Sequence, residues 1–150
     1  MKIALDLASY NVVDAKLDDL KEIVEKYVDI VFANEDEARS FTGMQPEAAL
    51  DHISGFCDIA VIKVGSEGSW IKRGVEIIKI GTRKVNLKDT TGAGDLYAAG
   101  FLYGYAQNKN LEICGQYGSL LAGHVIEIVG ARMDHDKWKQ IRTSVSEIVE

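Results

Sequence analysis

Two hydrophobic periods alternate along this chain. Lys2 to Leu7 (KIALDL), Asp29 to Ala33 (DIVFA) and Ile59 to Val64 (IAVIKV) are short apolar runs of strand length. The last is apolar almost throughout, as expected of a strand covered on both faces. Between these runs the period lengthens to three and four residues. Leu17, Leu20, Ile23, Val24 and Tyr27 form a helical stripe, with Asp14 placed to cap it. Glu35 to Thr42 predicts a short helix stopped by Gly43, and Pro46 suits the first turn of another that runs to about Ser54.

The second half reads differently. Ser69 to Lys72 and Val75 to Ile80 flank Arg73-Gly74 as a hairpin. Val85 to Lys88 predicts a strand end leading into a glycine-rich turn. Helices are expected at about Gly92 to Gln107 and Leu111 to Ile128. Asp134 is placed to cap a last helix with Trp138, Ile141, Val145 and Ile148 on one side. Alternating strand and helix signals mark an α/β sheet. Repeats, low-complexity tracts and linkers are absent from the sequence, so one layered unit is expected.

Composition narrows the class. With 150 residues and 47% hydrophobic content, the chain has one domain's worth of core. A net charge of −6 and scattered Lys and Arg argue against a nucleic-acid binder. No apolar run reaches the ~20 residues of a membrane span, and the N-terminus lacks the pattern of a signal peptide. Cys57 and Cys114 have no metal-binding spacing and read as buried thiols in a reducing cytoplasm.

Candidate chemistry concentrates in Asp89-Thr90-Thr91-Gly92-Ala93-Gly94-Asp95. Small residues there leave backbone N–H groups uncovered where a helix begins, and the helix dipole adds partial positive charge. Such a turn can hold a phosphate. Asp95 adds a carboxylate able to take a proton from an attacking hydroxyl, which completes the minimal equipment for phosphoryl transfer. The same residues also suit an ordinary helix start, and spacing alone divides the two readings evenly.

Two further turns lie at strand ends, where ligands gather in open α/β sheets. Asn34-Glu35-Asp36-Glu37 is a good N-terminal cap followed by acids that suit the dipole. Lys63-Val64-Gly65-Ser66-Glu67-Gly68 permits either a plain turn into the hairpin or close approach of a ligand to the backbone. Ala98, Ala99, Gly100 and Gly104 predict a helix packed closely on a neighbour. His124 lies on the Leu111 to Ile128 helix as a partly buried hydrogen-bonder or a ligand contact.

The order Asp-Thr-Thr-Gly-Ala-Gly-Asp, followed by Ala98-Ala99-Gly100-Phe101, resembles the C-terminal signature of the ribokinase-like (PfkB) carbohydrate and nucleoside kinases. The resemblance covers nearly all of this chain but only the C-terminal half of a family member. It implies a three-layer Rossmann-like α/β fold, a parallel sheet with helices on both faces, truncated on its N-terminal side. Residues 1–150 would be the nucleotide-binding portion, with the N-terminal substrate and lid half absent and the isolated chain inactive. The implied cofactors are ATP and Mg²⁺, with K⁺ as a candidate third. The implied partner is a sugar or nucleoside, with a homodimer as a candidate assembly.

The resemblance also implies roles. The amides of Gly92, Ala93 and Gly94 would face the transferring phosphoryl group, and Asp95 would be the base. Asn34 and Glu37 match the family's Asn-x-x-Glu motif, where the Glu places Mg²⁺ largely through water. Gly65 and Gly68 would line the nucleotide site. Lys63 stands where many relatives have Thr and is able to reach the phosphates. Asp89 and Thr91 resemble positions that hold a monovalent cation, with Val125 to Gly130 as the second cation loop, although Glu127 departs from its usual pattern. His124 lies near where relatives contact adenine. The competing expectations are a non-catalytic nucleotide-binding or regulatory module, and a domain with no ligand.

Overall fold

A computed structural model describes residues 1–148. The chain forms two compact units, Met1–Lys79 and Ile80–Glu150.

The first unit is built on a sheet in the order β1-β2-β3-β4-β5. Strands β1 (Ala4–Asp6), β2 (Ile30–Asn34) and β3 (Ile59–Lys63) are parallel, and β4 (Ser69–Arg73) runs antiparallel to β3. β5 (Glu76–Ile80) lies next to β4, joined through Gly74-Val75, as the hairpin reading required. The sheet is therefore mixed: parallel where helices connect the strands, antiparallel where a short turn does. Register sets Asn34 opposite Lys63 and Asp6 opposite Phe32.

Alternation along the strands explains the unbroken apolar runs. Val31, Ala33, Ala60, Ile62 and Val64 share one core with Val13, Ala38, Phe41, Leu50 and Ile53 from the helices. Their alternates Ile30, Phe32, Ile59, Val61 and Ile71 are buried as well. Helix α3 (Glu35–Thr42) ends at Gly43, whose φ of 74° is the left-handed conformation glycine adopts without strain. Helix α4 (Pro46–Ile53) begins on its proline.

One expected element is divided. Tyr10–Ala15 is a short helix α1, and Leu17–Tyr27 is α2. Asp14 therefore does not cap the Leu17 helix. It lies inside α1, and its carboxylate accepts from the Ser40 hydroxyl. Lys16 occupies the N-terminal position of α2 with no side-chain cap. Of the predicted stripe, Leu17, Leu20 and Val24 pack on the core, whereas Ile23 and Tyr27 are exposed.

The second unit is helical. α5 (Ala93–Ala106) and α6 (Leu111–Val125) cross where glycines face each other. A Cβ on Gly100 would lie 2.5 Å from the Tyr117 carbonyl oxygen, and one on Gly118 would lie 2.9 Å from that of Tyr97. Only residues without side chains allow backbones this near. Gly104 also faces α6, but Ala99 is exposed and takes no part. α7 (His135–Glu147) starts at Asp134, whose side chain accepts from the Lys137 amide. Trp138, Ile141, Val145 and Ile148 join Leu120, Leu121, Val125 and Met133 in a second core. Val85 to Lys88 forms no strand. The segment is fastened by single bonds instead, including Lys88 N–H to the Ile126 carbonyl at 2.8 Å.

Candidate active site

The glycine-rich turn opens α5. The Ala93 amide donates to the Thr90 carbonyl at 3.1 Å, which closes a four-residue turn. Gly92 sits in it with φ 79° and ψ 1°, the geometry of the third position of a type II turn. Ala93 was expected to present its amide to an anion; that amide is consumed by the turn. Gly92, Gly94 and Asp95 keep amides with no acceptor among the described residues. These donors stand at the positive end of a 14-residue helix. The Asp95 side chain is exposed and has no hydrogen bond or ion pair among the described residues.

Asp89 locks the turn from behind. Its Oδ1 accepts from the Thr91 amide at 2.9 Å and the Thr91 hydroxyl at 2.7 Å. Its Oδ2 accepts from the Gly130 amide at 2.8 Å. Those donors, led by the Thr91 hydroxyl, hold the carboxyl below its ordinary range. Asp89 and the Val125 to Gly130 segment lie side by side. What joins them here is direct hydrogen bonding.

His124 lies in the last turn of α6. Its Nδ1 is buried with no hydrogen-bond partner among the described residues, 4.0 Å from the Glu127 carboxylate. Burial and then the Lys137 ammonium push its pKa down, so the ring is neutral near pH 7. Glu127 is bound to Lys137 at 2.7 Å, a contact that its sequence context alone did not announce.

In the first unit the carboxyl ends of β1, β2 and β3 gather Asp6, Asn34, Glu37 and Lys63. Asn34 and Glu37 form a reciprocal capping box: Glu37 N–H to Asn34 Oδ1 at 2.9 Å, and Asn34 N–H to Glu37 Oε2 at 2.8 Å. Asn34 Nδ2 also donates to Glu37 Oε1 at 2.8 Å. Both carboxylate oxygens are thus engaged, and Glu37 is only 4% exposed. Burial raises its pKa, against the pull of the Asn34 amide and Lys63.

Lys63 was expected to reach toward phosphates. Its ammonium is paired instead with Asp6 at 2.9 Å and is mostly buried. The missed signal was a carboxylate ending one parallel strand and an ammonium ending another. Gly65 (φ 53°) and Gly68 (φ 98°) shape a short 3₁₀ turn, Gly65–Glu67, closed by Val64 N–H to the Gly68 carbonyl at 2.8 Å. A Cβ on Gly65 would lie 3.7 Å from Glu35 Oε2, so this loop sits against the start of α3. Among the described residues, no group of three or more His, Cys, Asp or Glu could hold a metal ion.

The model of the pfkB family carbohydrate kinases matches residues 2–138. The chain belongs to the PfkB family. An uncharacterized sugar kinase of Archaeoglobus fulgidus is 47% identical over 75 residues, which are 50% of this chain and 30% of that protein. A nucleoside kinase of Methanocaldococcus jannaschii is 33% identical over 125 residues, 81% of this chain and 40% of the relative. The crystal structure of adenosine kinase from Sinorhizobium meliloti superposes with a TM-score of 0.90 at 36% identity, over 95% of this chain and 45% of that one. This PfkB chain thus has the ribokinase-like fold and spans less than half the length of these relatives. Its Asp89 to Asp95 turn and its Asn34–Glu37 box lie inside the matched residues.

Proposed function

We propose that residues 1–150 are the nucleotide-binding portion of an ATP-dependent kinase that phosphorylates a hydroxyl of a sugar or nucleoside. The observation that supports it best is the Gly92 turn, where unclaimed amides at a helix N-terminus stand beside an unpaired carboxylate. When bound, ATP supplies the phosphoryl group and Mg²⁺ neutralises its charge. The Gly92 and Gly94 amides hold the anion, and the Asp95 carboxylate accepts the proton of the attacking alcohol. Asp89 and Thr91 keep the turn in shape. Glu37 acts through Asn34 and water at the strand ends, with Gly65 and Gly68 admitting the nucleotide to the backbone. Sugar and nucleoside kinases both appear among the relatives, which supports a hydroxyl acceptor without choosing between them. Cys57 and Cys114 stand as thiols, which accords with a cytoplasmic setting.

The test is calorimetry of this chain with Mg·ADP, followed by a turnover assay of the full-length kinase of which it is a portion, with Mg·ATP over a panel of sugars and nucleosides. Binding with phosphorylation of at least one alcohol is expected. Binding without transfer to any acceptor would replace this reading with a nucleotide-binding module, and no binding would remove both.

A further inference from the structure

The amide-rich turn is only as well placed as the segment behind it. Residues 86–89 form no strand, and Ile126 to Gly130 follow the end of α6. The two segments are laced directly. The Ile126 carbonyl accepts from the Lys88 and Asp89 amides at 2.8 and 3.2 Å. The Gly130 amide donates to Asp89 Oδ2, and the Asn86 amide reaches Glu127 Oε1 at 3.4 Å. Glu127 Oε2 in turn takes Lys137 Nζ of α7 at 2.7 Å. This ion pair is largely shielded, with side-chain exposures of 28% for Glu127 and 18% for Lys137. Salt therefore screens it less than a surface pair.

Ile126 and Ile128 also pack on the core beneath them. Apolar contact is non-directional, however, and leaves rotation and sliding of the segment open. A charged hydrogen bond fixes both distance and orientation. From this geometry we infer that Lys137 and Glu127 are positioning residues for phosphate binding. Their ion pair holds Ile126 to Gly130 so that Gly130 orients Asp89, and Asp89 orients Thr91 and Gly92. The inference rests on the phosphate-binding reading of that turn.

The experiment compares Mg·ADP affinity, melting temperature and amide exchange in wild type, Lys137→Met, Lys137→Arg and the charge-swapped Glu127→Lys/Lys137→Glu. Lys137→Met should weaken Mg·ADP binding by about two- to thirtyfold, the range for residues coupled to a site they do not touch. Exchange at the Gly130 and Thr91 amides should accelerate while the Phe101 amide is unaffected. Lys137→Arg and the swapped pair should recover most of the affinity. A purely structural role would lower melting temperature yet leave the folded protein's affinity unchanged, and that result overturns the inference. Should Lys137→Met not fold, the swapped pair decides: native melting with lost affinity also overturns it. A wild type that binds no Mg·ADP would sink the phosphate reading and this inference together. A Lys137→Met protein that binds as well as wild type sinks this inference alone.

Discussion

A methyl group placed on Gly92 would lie 2.7 Å from the Cβ of Ala131, closer than two such carbons ever approach. Gly92 also has a φ of 79°, where an alanine costs about 1–2 kcal/mol through its own backbone. The two penalties act together because Ala131 has no flexible end to swing aside. Gly92→Ala should therefore destabilise the protein by about 1–3 kcal/mol in urea unfolding. It should also weaken Mg·ADP binding, since any relaxation moves the amides of the turn. Unchanged stability and affinity would mean the turn is plastic and not preorganised.

Asp95→Asn separates binding from chemistry. The side chain is exposed and makes no hydrogen bond or ion pair among the described residues, so the substitution removes none. If Asp95 is the base, turnover of the full-length kinase with Mg·ATP and an acceptor alcohol should drop by about 10² to 10⁴. Nucleotide affinity should hold or improve slightly, because a negative charge next to the bound anion is lost. Turnover within a few-fold of wild type would take that role from Asp95.

These two residues sit where the sequence was most legible. A glycine-rich turn before a run of small residues announces a helix start with open amides, and the α3 bounds and the Asp134 cap followed from equally local chemistry. Local signals also marked β2, β3 and the hairpin. The rest depended on pairings between distant residues. The choice of Asp6 by Lys63, of Gly130 by Asp89 and of Lys137 by Glu127 is made by strand register and loop docking. Asp14 illustrates the limit: it suits a helix cap by composition, yet the chain turns at Lys16 and frees it to bind Ser40. Ala93 illustrates it again, because whether an amide is open depends on a turn type that Gly92 alone decides.

The crossing of α5 and α6 gives a test independent of function. Alanine is the better helix former, by about 1 kcal/mol over glycine. At Gly100 the added Cβ would meet the Tyr117 carbonyl carbon at 2.7 Å and its oxygen at 2.5 Å, both backbone atoms. The clash should exceed the propensity gain, so Gly100→Ala is expected to lose about 1–3 kcal/mol. Ala99→Gly on the exposed side of the same helix should lose only the propensity difference. Equal effects at the two sites would show that the helices can separate at little cost.

Cys57 offers a chemical probe of the first core. Burial pushes its thiol pKa up to about 11, so only about 10⁻³ of it is thiolate at pH 8. Alkylation by iodoacetamide should be slow in the native protein and accelerate strongly in urea. Fast labelling of native protein at Cys57 would contradict the packing of that residue against the first core.

Glu37 makes the pH dependence of folding informative. Burial lifts its pKa above the ordinary 4.5 despite the Asn34 donors, so the folded chain holds this proton more tightly than the unfolded one. Below the unfolded value both states are protonated and the favourable term is fully present. As pH rises past it, the unfolded chain releases the proton first, and stability falls until the folded pKa is passed. Glu37→Gln removes that fall. It adds a pH-independent offset, because an amide cannot accept from both Asn34 N–H and Asn34 Nδ2. Urea unfolding from about pH 4 to about pH 7 should therefore show wild type losing ground to Glu37→Gln as pH increases. The opposite slope would mean that the Asn34 hydrogen bonds and Lys63 outweigh desolvation, and that Glu37 is held in the box as a stabilised anion.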